Sequence, residues 1–188
     1  MKQVVVIMLT LWTFQLSAQF NPNIERKGFV FGVGLSGGVI SISESNQEVP
    51  FSEAQGGIGL PDLKFGWMAM NERLAFMVNI PGMIYEYEGK DRSFDAIVPS
   101  IQYWVKDRWW INGGLGLAVD GPALYEKIKG EDWNFGCAVI ASTGYEIVQR
   151  KNFAMDLQTK LQMGRAFMDN DQYRDGVVFS LGLGFNWY

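Results

Sequence analysis

Phe153-Ala154-Met155-Asp156-Leu157-Gln158-Thr159-Lys160-Leu161-Gln162-Met163-Gly164-Arg165-Ala166-Phe167 is the stretch whose reading decides the fold. Phe153, Met155, Leu157, Leu161, Met163 and Phe167 share one parity, while Ala154, Asp156, Gln158, Lys160, Gln162 and Gly164 share the other. Alternation of this kind is the period of a β-strand with two unlike faces.

The same period extends outward from this run. In Val177–Tyr188, Val177, Phe179, Leu181, Leu183, Phe185 and Trp187 oppose Val178, Ser180, Gly182, Gly184, Asn186 and Tyr188. Upstream, Lys27–Ile42, Gln55–Met70, Leu74–Tyr87, Asp95–Lys106, Trp109–Asp120 and Trp133–Gln149 complete a set of eight runs. Each is long enough to cross a bilayer as a tilted strand, which takes roughly 9–11 residues. The 22 glycines scattered through apolar segments argue against helices, where each costs about 1 kcal/mol relative to Ala. The connectors alternate in kind. Asn71–Arg73, Lys106–Arg108 and Arg150–Asn152 are tight and charged, whereas Ser43–Ala54, Glu88–Phe94, Gly121–Asp132 and Met168–Gly176 are longer. Short periplasmic turns facing longer outer loops are the pattern of transmembrane barrels. The expected fold is all-β, an eight-stranded antiparallel up-and-down transmembrane β-barrel.

The sense of the alternation argues for lipid rather than water outside. A water-soluble barrel of the lipocalin kind places polar groups outward and apolar groups inward. Here the apolar parity holds large side chains, and the other holds Gly, Ser, Asn, Gln and charges, which suit a narrow interior. That inward parity carries Asp62, Lys64, Glu146, Asp156 and Lys160. Enclosed charges are costly unless paired, so these five are expected to form a polar network that fills the lumen. Eight strands enclose room for side chains or one small ligand only.

Two runs change phase, at Leu60-Pro61-Asp62 and at Pro81-Gly82. Pairing across the turns brings Pro61, Pro81 and Pro99 toward neighbouring strands, and Pro cannot donate to a ladder. A weakened lateral seam through these prolines is expected, with Ile58, Leu60, Met68 and Ile84 facing inward around the slips. Aromatic residues collect near strand ends. Trp67, Trp104, Trp109, Trp110, Trp187 and Tyr188 fall near the short-turn rim with Tyr103, and Tyr85, Tyr87, Phe94, Tyr125 and Trp133 near the other. They are read as interfacial girdles.

Residues 1–18 are read as a signal peptide cleaved near Ala18, and residues 19–188 as the barrel. Lys2 precedes an apolar run, Val4–Phe14, too short for a membrane helix of roughly 20 residues. The formal net charge of −4 gives no nucleic-acid footprint. With Cys137 as the only cysteine and no histidine, no internal disulfide forms, and the Ser-His-Asp and Cys-His arrangements are ruled out. Gly32-Val33-Gly34-Leu35-Ser36-Gly37 lacks the helix and βαβ context of a nucleotide loop. Asp169, Asp171 and Asp175 lack calcium-loop spacing and read as a solvated loop. No catalytic, metal or cofactor site is expected.

The final strand, Gly182-Leu183-Gly184-Phe185-Asn186-Trp187-Tyr188, ends on aromatics after an alternating apolar run. It resembles the C-terminal assembly signal of outer-membrane barrels. With the eight runs and the signal peptide, the chain resembles the small outer-membrane β-barrel family, the broad group of OmpX, the OmpA transmembrane domain and OmpW. The resemblance implies outer-membrane lipid as surroundings and barrel-insertion machinery as a partner of the last strand. Enzymes of similar architecture depend on histidine, so their activities do not carry over. Three readings of function follow. The first is a non-enzymatic outer-membrane barrel with a side-chain-filled lumen and four surface loops for structural or interaction roles. The second is a narrow transporter of small apolar molecules, like the OmpW group. The third is a soluble exported β-barrel.

Overall fold

The computed structural model describes residues 24–45, 54–70, 72–126 and 133–188. The expected signal segment, residues 1–18, lies outside them. Among the described residues there are nine strands and no helix: β1 Phe29–Glu44, β2 Gln55–Met70, β3 Leu74–Ile80, β4 Gly82–Tyr87, β5 Lys90–Lys106, β6 Trp109–Pro122, β7 Asn134–Arg150, β8 Phe153–Phe167 and β9 Tyr173–Trp187. β3 and β4 are two pieces of one ring position, broken at Pro81, which has no N–H to give a ladder. Every pairing is antiparallel, in the order β3-β2-β1-β9-β8-β7-β6-β5-β4, and β3 also pairs with β5. That last pairing closes an eight-membered ring, the expected up-and-down barrel. Over the length of β3, closure removes the open sheet edges that would otherwise expose backbone polar groups.

The decisive stretch keeps its alternation in three dimensions. In β8, Ala154, Asp156, Gln158, Gln162 and Ala166 are buried, while Leu157, Leu161, Met163 and Phe167 are exposed. The barrel is therefore inverted relative to a water-soluble protein. Leu115 is 74% exposed, whereas Asp120, Glu146, Asp156 and Gln162 are 0% exposed.

Four register shifts adjust the wall, one of them between Met68 and Met70 at the end of β2. In β2 one extra residue sits at Leu60-Pro61, because the β1–β2 register passes from Gly34↔Asp62 to Ser36↔Gly59. Similar shifts lie between Trp104 and Lys106 in β5 and between Glu146 and Val148 in β7. The phase change expected at Pro81-Gly82 is absent. Ala75, Met77, Asn79, Pro81, Met83 and Tyr85 are all buried, one parity running through β3 and β4. Reading large apolar residues as lipid-facing fails there because this level of the interior is itself apolar. The expected long connector Glu88–Phe94 is also corrected. Tyr87 pairs with Lys90, leaving a two-residue turn in which Glu88 and Gly89 have φ of 51° and 74°. Two successive positive φ values give the twist that suits a tight hairpin.

Candidate functional site: the filled lumen and the seam between β2 and β4

The interior is organised in layers along the barrel axis. At the short-turn end, the segment before β1 turns inward and places Arg26 in the mouth. Its guanidinium lies 2.6 Å from Glu146, donates to the Asp107 carbonyl at 2.6 Å, and stacks 4.8 Å from the Trp104 ring centre. Glu146 accepts further hydrogen bonds from Trp104 Nε1 at 2.8 Å, Gln149 Nε2 at 2.6 Å and the Tyr188 hydroxyl at 3.1 Å. A carboxylate with four donors is the arrangement that makes burial of charge tolerable.

The next layer is polar. Lys160 pairs with Asp62 at 2.7 Å, and Ser36 donates to the same carboxylate at 3.0 Å. Lys64 donates to Gln158 at 2.7 Å and lies 4.6 Å from the Trp110 ring centre. Asp156 accepts from Asn186 at 2.7 Å and from Trp110 Nε1 at 3.2 Å. The cavity bounded by Asp62, Lys64, Asn79, Ser142, Gln158 and Lys160 measures ≈ 20 Å³, about the room one water needs.

Above lies an apolar layer of Ile40, Met83, Tyr85, Phe94, Val98, Ile140 and Val178. At the long-loop end a second charged cluster centres on Asp120. It accepts from Tyr85 at 2.6 Å, from Arg92 at 2.9 Å and from Arg174 at 2.7 Å, and Arg174 also pairs with Glu44. The mouth above is lined by Tyr87, Lys90, Arg92, Asn134, Gln172 and Arg174 and encloses ≈ 430 Å³.

The five expected lumen residues, Asp62, Lys64, Glu146, Asp156 and Lys160, therefore all face inward. They fall in two neighbouring layers, with Lys160–Asp62 the direct ion pair among them. Sequence reading missed Arg26, Asp120, Arg92 and Arg174. Asp120 shares parity with Asn112, Gly114 and Gly116, which marks it as inward. Arg26 lies before the first alternating run, where no parity applies.

The aromatic girdle needs correction. Trp67, Trp109 and Trp187 are exposed on the outer wall, but Trp104 and Trp110 are each 1% exposed and point into the lumen. Their parity, shared with Gln102 and Asn112, carries that signal. Tyr188 reaches Glu146 instead of lipid, and Tyr85 and Phe94 at the other rim also point inward.

The prolines mark different things. Pro61 sits at the β2 bulge, and Pro81 separates β3 from β4. Between them the β2–β3 ladder ends at Leu63↔Ile80, and β4 pairs with β5 alone. The wall is thus unzipped between the first half of β2 and β4. A Cβ on Gly57 would lie 2.7 Å from the Ile84 carbonyl, and one on Gly59 would lie 2.7 Å from that of Gly82. Only glycine permits this close approach without a ladder. One side chain substitutes for the missing rungs: Gln55 Nε2 donates to the Glu86 carbonyl at 2.9 Å, and Glu86 N–H donates to Gln55 Oε1 at 2.8 Å. A cleft of ≈ 630 Å³ opens here, lined by Gly57, Ile58, Ile84, Tyr85, Asp91 and Tyr125 among others. Tyr125 donates to Asp91 at 2.9 Å, a bond that holds its phenol above the ordinary value. Pro99 lies elsewhere, exposed on β5. There the β5–β6 ladder skips from Ile97↔Leu117 to Ser100↔Gly114. Of the residues expected inward around the slips, Met68 is buried, Ile84 half-buried and Ile58 61% exposed on the outer wall; the Leu60 side chain lies outside the described residues.

Among the described residues no group of three or more Cys, Asp or Glu side chains is placed to hold a metal ion. Asp175 instead pairs with Arg165 at 2.7 Å.

No family model matches the sequence, and no curated protein matches it. Solved structures do. Ail, the attachment invasion locus protein of Yersinia pestis, in complex with the heparin analogue sucrose octasulfate, aligns over 85% of this chain and 99% of its own, at 12% identity and a TM-score of 0.50. Neisserial surface protein A aligns over 84% of this chain and 96% of its own, at 15% identity and a TM-score of 0.52. With ring closure, inverted burial and these two likenesses together, the chain has the fold of the small eight-stranded outer-membrane β-barrels.

Proposed function

We propose that this chain is exported by a signal peptide at residues 1–18, cleaved near Ala18, and resides in an outer membrane as a non-enzymatic barrel. Its last strand, ending at Trp187-Tyr188, engages the insertion machinery. Its long-loop end serves structural or interaction roles at the cell surface. The observation that carries this reading is the inverted burial: charged groups enclosed and paired, large apolar groups exposed around a closed ring. Exposed apolar area of this extent is a liability in water and a requirement in lipid. The packed layers from Arg26 to Asp120 favour a support and contact role over an aqueous channel. Ail, whose name records attachment, is similar to this chain in fold. The test is fractionation together with electrophoresis with and without boiling. Recovery in the outer membrane and a heat-dependent shift in mobility are expected; recovery as a soluble periplasmic protein overturns the reading.

A second reading rests on the unzipped stretch between β2 and β4. Small apolar molecules would pass laterally between the loop-end mouth and the bilayer through the cleft at Gly57, Ile58 and Ile84. The ≈ 20 Å³ central cavity argues against passage along the whole axis. Uptake of a small apolar solute that deletion leaves unchanged counts against this second reading.

A further inference from the structure

The outer wall above the Asp107-Arg108 turn carries a groove of ≈ 330 Å³ lined by Trp109, Thr143, Tyr145, Leu157, Thr159 and Leu181 among others. The groove follows from the register. Thr143 and Thr159 are paired and set side by side, while Trp109 is paired with Tyr145 and Tyr145 with Leu157 in the adjoining row of large groups. Trp109 Nε1 donates to Thr143 Oγ1 at 2.7 Å, which fixes the indole as one wall.

At the rim end of this groove the chain places cations. Lys106 is paired with Trp109 across the hairpin, Arg108 directly precedes it, and Arg150 and Lys151 stand at the next turn. The Asp107-Arg108 turn packs on the end of β7 that leads into the next turn: Glu146 N–H donates to the Arg108 carbonyl at 2.8 Å, and Gln149 Nε2 donates to the Asp107 carbonyl at 3.0 Å. Asp107, the one carboxylate in these two turns, lies 3.7 Å from Arg73, the residue just before β3.

An apolar trough of ≈ 330 Å³, with four cations on the turns at its rim end, is chemically complementary to an anionic phospholipid. We propose that this face binds phosphatidylglycerol-type lipid, with one acyl chain along Thr143 and Thr159 and its phosphate at Lys106, Arg108, Arg150 and Lys151. Each basic side chain near a membrane surface adds attraction for anionic lipid, and the aromatic pair Trp109–Tyr145 sits at the headgroup level that such rings favour. The inference rests on the reading of the chain as a membrane barrel, with the short-turn end at one lipid–water boundary.

The test uses the full mature chain in nanodiscs that contain equal amounts of phosphatidylglycerol and phosphatidylcholine. Native mass spectrometry reads the lipids retained after release. Retention of phosphatidylglycerol over phosphatidylcholine by about five-fold or more is expected. The preference should fall toward parity in Lys106→Ser/Arg150→Ser/Lys151→Ser and persist in Lys106→Arg/Lys151→Arg. A Thr143→Trp variant, which fills the trough and leaves the cations, should lower retention of both lipids. Equal retention of the two lipids by the wild-type barrel, or an unchanged preference in the serine variant, overturns the proposal while leaving the membrane reading intact. Failure of the wild-type chain to insert into any nanodisc overturns the membrane reading, and this inference with it.

Discussion

Replacing Arg26 by methionine leaves the Glu146 carboxylate enclosed without its cation, and the structure sets the size of the loss. Both side chains are buried, at 6% and 0% exposure, and lie 2.6 Å apart. Breaking such a pair costs about 3–5 kcal/mol, most of it the stranded charge. Trp104, Gln149 and Tyr188 still donate to Glu146 in the variant, so the loss belongs near the lower end, about 3 kcal/mol. With a slope of about 2 kcal/mol/M, the urea midpoint falls by about 1.5 M. Adding Glu146→Gln removes the stranded charge and keeps an acceptor for the indole, so the double variant should recover most of the loss, with a coupling of about 2 kcal/mol. The assay is reversible urea unfolding of the barrel in lipid vesicles, followed by tryptophan fluorescence and by electrophoresis without boiling. A midpoint change under about 0.3 M for Arg26→Met, or strictly additive single losses, would refute the placement of Arg26 as the counter-ion of Glu146.

Leu115→Arg puts a charge at the middle of the outer wall, and should cost about 2–4 kcal/mol in bilayers. Little or no loss there would favour a soluble barrel. Gln55→Ala removes both hydrogen bonds to the Glu86 backbone; amide exchange at Glu86 should accelerate while that at Gln162 holds, and equal protection in wild type and variant would show the rung to be inert. Cys137 is exposed on the outer wall, so in vesicles an apolar maleimide should label it and a sulfonated one should not. Equal labelling by both reagents would place that wall in water.

Parity made most of the barrel legible. The alternation in β8 and β9 assigns inside and outside correctly from residues alone, because each parity keeps to one side of the wall along the whole strand. Parity also held where proximity to a rim misled. Distance from the turn groups Trp104 and Trp110 with the girdle, yet their even positions alongside Gln102 and Asn112 mark them as inward. Met83 and Tyr85 escaped for a different reason. A rule that sends large apolar groups to lipid assumes a polar interior, and the layer around Phe94 and Ile140 breaks that assumption. In the Asp120 cluster, Tyr85 and Arg92 come from the neighbouring paired strands β4 and β5, whereas Arg174 reaches it from β9, across the closed barrel. Nothing local in the sequence announces a contact spanning 54 residues, as between Arg174 and Asp120. Arg26 was invisible because it follows no period.

The amide of Gln55 gives the seam a clock of its own. Backbone rungs elsewhere in the ring separate only when whole strands move, a collective event that belongs to microseconds or longer. The bridge to Glu86 is carried by a side chain, and an exposed one, so it can be withdrawn by rotation about its own bonds in picoseconds to nanoseconds. Opening at this place is then governed by the rotamer equilibrium of one residue, and a single substitution can retune its frequency while leaving the remaining ladders of the ring as they are.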